Sequence, residues 1–164
     1  MSALAKLLLL DGHSVEGIDV KEDFYTCENL KNISVYSFEE FNLDNSFFYI
    51  IGNAFHNHNI TKEIINMGYD YDYYPAFINK YFNNLNMIGV AGSHGKTMSC
   101  SMLKDIILGS TYLIGDGKSN IGKNGYFILE ACEYKDTFLN YKPDLGLVLN
   151  IDYDHPDYFK SKED

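Results

Sequence analysis

The segment Gly89-Val-Ala-Gly-Ser-His-Gly-Lys-Thr97 carries the strongest chemical signal in the chain. Gly92 and Gly95 let the backbone bend so that its N–H groups converge on an anion, and a helix beginning there adds the positive end of its dipole. Lys96 is placed to neutralise β- and γ-phosphate charge, and the Thr97 hydroxyl is placed to ligate Mg²⁺. The expected ligand is therefore ATP with Mg²⁺. The alternative is a Gly-rich strand–helix turn with no ligand. A Gly-Lys-Thr triplet that follows an apolar strand and opens a helix argues against it. The common loop has four residues between its first Gly and the Gly-Lys pair, but that position is Val90. The glycines fall instead at 89, 92 and 95, a G-x-x-G-x-x-G-K-T pattern.

Other polar groups are less specific. His56 and His58 in an HNHN stretch have no further ligands nearby, and metal sites usually need three or four, so a solvated loop is the better reading. Glu133 and Asp136 have the look of an acid/base pair; a polar turn is the blander account. Asp19 closes a short strand, and taken alone a strand-end acid is most simply a polar residue there. In a dinucleotide-binding unit the order is strand, Gly-rich turn, helix, strand, acid. Here the helix, the second strand and the acid are present, without a first strand or Gly-rich turn before them.

The elements that must position these groups alternate. A helix over 2–10 stops at Asp11-Gly12, a strand covers 14–20, a short helix 24–32 and a strand 33–36. Ser46 to Gly52 reads as a buried strand, 60–67 as a helix stopped by Gly68, and 69–73 as a half-exposed strand. Pro75 can open a helix that runs to about 84. A second unit begins at Asn86: a buried strand 87–91, the Gly-rich turn, a helix 98–108 closed by Gly109, and strands at 111–114, 126–131 and 145–150. Strands alternating with helices predict parallel α/β architecture. The boundary between the two units, 1–85 and 86–164, falls near residue 85.

Composition narrows the class. Of 164 residues, 46% are hydrophobic and 22% charged, which is globular composition. The net charge is −10, and all thirteen basic residues are Lys. An acidic chain without Arg is a poor nucleic-acid binder. The apolar run at the N-terminus is too short to span a bilayer and contains Lys6, so no membrane insertion is expected. Cys27, Cys100 and Cys132 are an odd, widely spaced set, which suits a reducing cytoplasm better than a disulfide scaffold.

The G-x-x-G-x-x-G-K-T variant resembles the loop of the Mur ligases and their folate-polyglutamating relatives, which make amide bonds by way of an acyl phosphate. Ser93-His94, Glu130-Ala-Cys-Glu-Tyr-Lys-Asp-Thr-Phe-Leu139 and Asn150-Ile-Asp-Tyr-Asp-His-Pro-Asp-Tyr-Phe159 narrow the likeness. They look like the family member that joins L-alanine to UDP-N-acetylmuramate, in the type found in low-GC Gram-positive and related bacteria. Met1-Ser-Ala-Leu-Ala5, Ile51-Gly-Asn-Ala-Phe55 and Tyr112-Leu-Ile-Gly-Asp-Gly117 are also similar to family segments, so the resemblance covers nearly the whole chain in order.

The resemblance implies a Rossmann-like, parallel-sheet unit for the UDP-substrate (1–85) that lacks its first strand. It is followed by the N-terminal part of a P-loop α/β ATPase domain (86–164). The family's third domain, which binds the amino acid, is expected to be absent, since three domains need about 450 residues. The chain is thus expected to be an incomplete fragment, inactive alone and completed by a separate chain if one carries that domain. Gly92, Ser93, His94, Gly95, Lys96, Thr97 and Met98 would cradle ATP. Thr97, Glu130 and His155 would hold metal, and Lys96, Glu130 and His155 would be the catalytic set. Asp19, Asn53 and Glu133 would face the UDP-sugar. Tyr134 and Lys135 stand where the Gram-negative type has Ser and Asp. The reaction implied is ATP-dependent ligation of L-alanine to UDP-N-acetylmuramate, a cytoplasmic step of peptidoglycan precursor synthesis and so of cell-wall biogenesis, cell shape and division. The alternatives are a non-catalytic ATP/Mg-binding module, or another Mur or folylpolyglutamate-type ligase; the latter do not normally carry the EACEY segment.

Overall fold

The computed structural model describes residues 1–20, 30 and 32–161. Most of the helix expected over 24–32, and Cys27 within it, lie outside the described residues. The elements alternate as the pattern requires. Helix α1 (Ser2–Leu10) buries Leu4, Leu7 and Leu8, the i, i+3, i+4 stripe of an amphipathic helix. Strand β1 (Glu16–Ile18) pairs in parallel with β2 (Ser34–Tyr36). Strand β3 (Tyr49–Ile51) pairs in parallel with β4 (Tyr71–Tyr73). A 3₁₀ turn (Asn53–Phe55) and helix α2 (Asn59–Asn66) connect them. His58 is a helix cap, since its Nδ1 accepts from the Ile60 N–H at 3.3 Å, and the His56 ring packs on Tyr73 at 4.3 Å. Helix α3 (Tyr74–Tyr81) opens with Pro75 in its first turn.

The second half builds one five-stranded sheet from β5 (Asn86–Ala91), β6 (Thr111–Leu113), β7 (Ser119–Asn120), β8 (Tyr126–Glu130) and β9 (Leu145–Val148). The order is β7-β6-β8-β5-β9, parallel throughout except for the short β7. Helix α4 (Lys96–Ile106) joins β5 to β6. Alternate side chains of the sheet go to opposite faces, as the period of two demands. Ile88, Val90, Ile114 and Ile128 form one core with Cys100 of α4. Met87, Leu113, Phe127 and Leu129 form the other with Leu4, Leu7 and Leu8 of α1 and with Ile78 and Phe82 at α3. Phe82 stacks on Phe127 with ring centroids 4.2 Å apart.

Among the described residues no strand before residue 85 joins the five-stranded sheet, yet the two parts share a core, because α1 and α3 roof one face of that sheet. The expected parallel α/β class is what the molecule has. The first 85 residues form two separate strand pairs, β1–β2 and β3–β4, among the described residues. An apolar cavity of about 560 Å³ lies between them, lined by α1, β1 and β3. No helix of the described residues is long and apolar enough to cross a membrane.

Candidate functional site

Strand β5 is buried from Met87 to Val90 and ends where the Gly-rich turn begins. Gly92 has φ +137°, and a Cβ there would meet the Asn150 carbonyl oxygen at 3.1 Å and its nitrogen at 3.2 Å. Only a residue without a side chain lets the loop lie this close to the chain beyond β9. Helix α4 starts at Lys96, directly after Gly95 at φ +84°. Its first turn points free N–H groups into an open cleft of about 750 Å³, lined among others by Ser93, His94, Gly95, Lys96, Thr97, Met98 and Glu130.

Two acidic side chains meet this loop, Glu130 at the end of β8 and Glu133 in the turn beyond it. The Thr97 hydroxyl lies 3.1 and 3.0 Å from the Glu130 carboxylate oxygens. The same carboxylate accepts from the Gly115 N–H at 2.8 Å. Glu130 reaches this place because β8 lies beside β5, with Val90 in register opposite Glu130. A hydroxyl and a carboxylate in contact at the mouth of a phosphate loop are hard oxygen donors, the set that suits Mg²⁺ shared with phosphate oxygens. The residues present fit that ion.

Glu133 meets the lysine instead. Its Oε2 is 2.8 Å and its Oε1 3.0 Å from Lys96 Nζ. Lys96 also donates back to the Gly92 carbonyl at 2.6 Å. The lysine is thus folded over its own loop and held by a carboxylate. His155 Nε2 stands 3.5 Å from Glu133 Oε1. Ligand atoms of Glu133, Asp154 and His155 lie within 4.8 Å of one another, the one such group of three among the described residues. The site therefore has two acidic poles, Thr97–Glu130 and Glu133–His155, with Lys96 bonded to the second.

The sequence-predicted residues are not all gathered here. Asn53 reaches this half of the molecule: its Nδ2 donates to Thr137 Oγ1 at 2.7 Å. Asp19 sits at the end of β1 and lines the apolar cavity of the first half, where its Oδ1 accepts from the Val20 N–H at 2.8 Å. Asp136, weighed as an acid partner of Glu133, turns to Tyr158, whose hydroxyl donates to it at 2.5 Å. Cys100 is on the buried face of α4, and burial with the nearby Glu130 and Asp116 charges pushes its thiol up to about 12. Burial also raises the Cys132 thiol.

Two contributors carried no signal of their own. Asn150 clamps the loop, its Oδ1 accepting from the His94 N–H and its Nδ2 donating to the His94 carbonyl, both at 2.9 Å. Gly115 lies so close to Glu130 that a Cβ there would fall 2.7 Å from Oε2. Both stand in segments quoted above for their family likeness, and that likeness was the signal that could have found them.

A parallel sheet whose inner strand feeds a Gly-Lys-Thr loop, faced by a carboxylate from the next strand, places the chain in the α/β class. No family model matches the chain. Curated proteins named UDP-N-acetylmuramate–L-alanine ligase from Streptococcus pneumoniae, strains JJA and Hungary19A-6 among them, are 39% identical to it over 172 residues, covering 100% of this chain and 39% of theirs. Solved structures agree in fold. A UDP-N-acetylmuramate:L-alanyl-γ-D-glutamyl-meso-diaminopimelate ligase from Neisseria meningitides superposes with a TM-score of 0.77 at 24% identity, over 97% of this chain and 59% of that one. A murein peptide ligase from Psychrobacter arcticus gives 0.69 at 22% identity, over 90% of this chain and 40% of that one. Along its whole length the chain is similar to curated UDP-N-acetylmuramate–L-alanine ligases, and it spans 39% of the length of those relatives.

Proposed function

We propose that this chain supplies the UDP-sugar-binding and phosphate-binding parts of an ATP-dependent ligase that joins L-alanine to UDP-N-acetylmuramate in peptidoglycan precursor synthesis in the cytoplasm. The observation that carries the reading is the contact of Thr97 with Glu130 at 3.0 Å at the mouth of a Gly-Lys-Thr loop, in a chain related throughout to such ligases. In the reaction, a carboxylate oxygen of UDP-N-acetylmuramate forms a bond to the γ-phosphorus of ATP and ADP leaves. The amine of L-alanine then attacks the acyl phosphate, loses a proton and expels phosphate.

The chain's own groups have mainly to orient and to offset charge. The loop N–H groups from Gly92 to Met98 bind the phosphates. Lys96 exchanges Glu133 for phosphate oxygens and offsets the charge of the moving phosphoryl group. Thr97 and Glu130 would hold one Mg²⁺, and His155 a second with Glu133 beside it. When bound, these ions polarise the phosphoryl oxygens and bring the two anionic reactants together. Asn53 and Asp19 are the residues of the first half assigned to the UDP-sugar side.

Calorimetry with a non-hydrolysable ATP analogue and Mg²⁺ tests the nucleotide half of this reading. The expected result is binding that Lys96→Ala removes. Equal heat from the wild-type and Lys96→Ala chains would sink it.

A further inference from the structure

The segment from Asn150 to Phe159 has no regular secondary structure beyond a turn, yet it carries His155 to the site. Its first end is tied to the phosphate loop. Asn150 clamps His94, and Ser93 Oγ both donates to the Asp152 carbonyl and accepts from the Asp152 N–H, each at 2.9 Å. Its second end is tied to the turn after β8 by two crossed bonds. The Tyr134 hydroxyl donates to Asp157 Oδ2 at 2.6 Å, and the Tyr158 hydroxyl donates to Asp136 Oδ2 at 2.5 Å. Each side thus gives one tyrosine and one aspartate. The rings also meet: Tyr134 lies 4.7 Å from the His155 imidazole and 5.9 Å from Tyr158.

His155 lies between the two anchors with φ +52°, and Lys135 and Asp136 across from it have φ +53° and +55°. Non-glycine residues persist in this region only where their surroundings impose it. The crossed hydroxyl–carboxylate bonds, charge-assisted and therefore among the stronger kind, join the two segments that carry these residues.

We propose that Tyr134 and Tyr158 are positioning residues: with Asp157 and Asp136 they form a reciprocal clasp that holds the His155 imidazole against Glu133, at the place where a second divalent cation would bind. The cation part rests on the reading of His155 given above. The clasp itself exists without any ligand, and that separates the two in an experiment.

The test uses the 164-residue chain and the double variant Tyr134→Phe/Tyr158→Phe, which keeps both rings and removes both hydroxyls. The first measurement is hydrogen exchange without nucleotide at the Tyr158 and Phe159 amides, which donate to the His155 carbonyl at 2.9 and 3.0 Å. These should exchange about tenfold faster in the double variant, the effect of losing one to two net hydrogen bonds, while β8 amides stay unchanged. Asp157→Asn keeps an acceptor for Tyr134 but removes its charge, and should fall between wild type and the double variant. Unchanged exchange in the double variant would overturn the clasp.

The second measurement is the imidazole-nitrogen modulation of a Mn²⁺ spin signal in the presence of a non-hydrolysable ATP analogue. It should be present in wild type, absent in His155→Ala and reduced in the double variant. Faster exchange with full nitrogen modulation would show that the clasp does not position His155. No nitrogen modulation in wild type would overturn the cation role of His155 alone, and the exchange rates then decide the clasp.

Discussion

The two halves of this molecule hold their strands in different ways. In the second, β5 has β8 on one side and β9 on the other, and the sheet runs unbroken through five strands. In the first, among the described residues, β1–β2 and β3–β4 are pairs of three-residue strands that do not join, with an apolar cavity between them. A two-stranded ribbon is marginal by itself and needs a packed helix or further strands. The helices of the first half do not serve its strands alone. Leu4, Leu7 and Leu8 of α1 lie in one core with Met87, Leu113 and Phe127 of the second sheet. The difference teaches that the second half organises the first: its sheet supplies the surface on which α1 and α3 become a layer.

The sharpest way to break that comparison is to remove Phe127, fully buried and stacked on Phe82. Phe127→Ala should cost about 4 kcal/mol through lost burial and the cavity left behind. Both halves should lose structure in one transition, because the side chain belongs to the core they share. Denaturant unfolding followed by near-UV signal and by exchange at β3 checks this. A β3 that stays protected while β8 unfolds would show two independent halves.

Leu7→Ala approaches the same core from the other side. Leu7 is 0% exposed, so the loss should be about 3 kcal/mol. Its effect should appear as faster amide exchange in β6 and β8 as well as in α1. An effect confined to α1 and β1 would mean that α1 serves only its own half.

How much of this was legible depends on range. The strands β5 and β8 were readable because both of their faces are buried, which leaves a nearly continuous apolar run. The Gly-rich turn between β5 and α4 was readable because its glycines and its Gly-Lys-Thr triplet fall at fixed local spacing. What α1 covers was not: its Leu stripe predicts a buried face but not which sheet receives it. The two-residue β7 carries too few side chains to show a period. At the site, Glu130 could be placed by its position at a strand end. The pairing of Glu133 with Lys96 spans 37 positions, and nothing local in either segment signals it. The Asn150 clamp was hidden for a similar reason, since a side-chain amide bonding to a distant backbone leaves no pattern in its own neighbourhood.

The second half also permits a sharper question about its two acidic poles. Gly115→Ala would place a Cβ 2.7 Å from Glu130 Oε2, so the carboxylate must shift from the position in which it meets Thr97. Disturbing a group that orients a metal ligand typically costs tenfold or more in metal affinity. Mg²⁺-dependent binding of an ATP analogue should therefore weaken about tenfold, with the thermal midpoint little changed. Glu130→Ala should weaken it further, and Glu133→Ala less than Glu130→Ala. The reverse order in a Mg²⁺ titration would move the cation site to the Glu133 pole.

The smallest expected effect tests one of the polar ties between the halves. Asn53 Nδ2 donates to Thr137 Oγ1, and that hydroxyl donates its own proton to the Tyr134 carbonyl at 2.7 Å. A threonine hydroxyl has a single proton, so Asn53 must present its amino group here, and the amide orientation follows. Asn53 Oδ1 is then buried without a hydrogen-bond partner among the described residues. Asn53→Ala removes one bond but also this unpaired acceptor, and Thr137 keeps its bond to Tyr134. The net cost should fall below about 1 kcal/mol. Thr137→Val is the harsher change, because it leaves the whole Asn53 amide buried without a partner and strips the Tyr134 carbonyl of its donor. Unfolding of the two single variants and the double variant separates the cases. Thr137→Val should cost more than Asn53→Ala, and adding Asn53→Ala to Thr137→Val should restore part of the loss. If Asn53→Ala were the more damaging of the two, the tie between the halves would run through contacts of Asn53 other than Thr137.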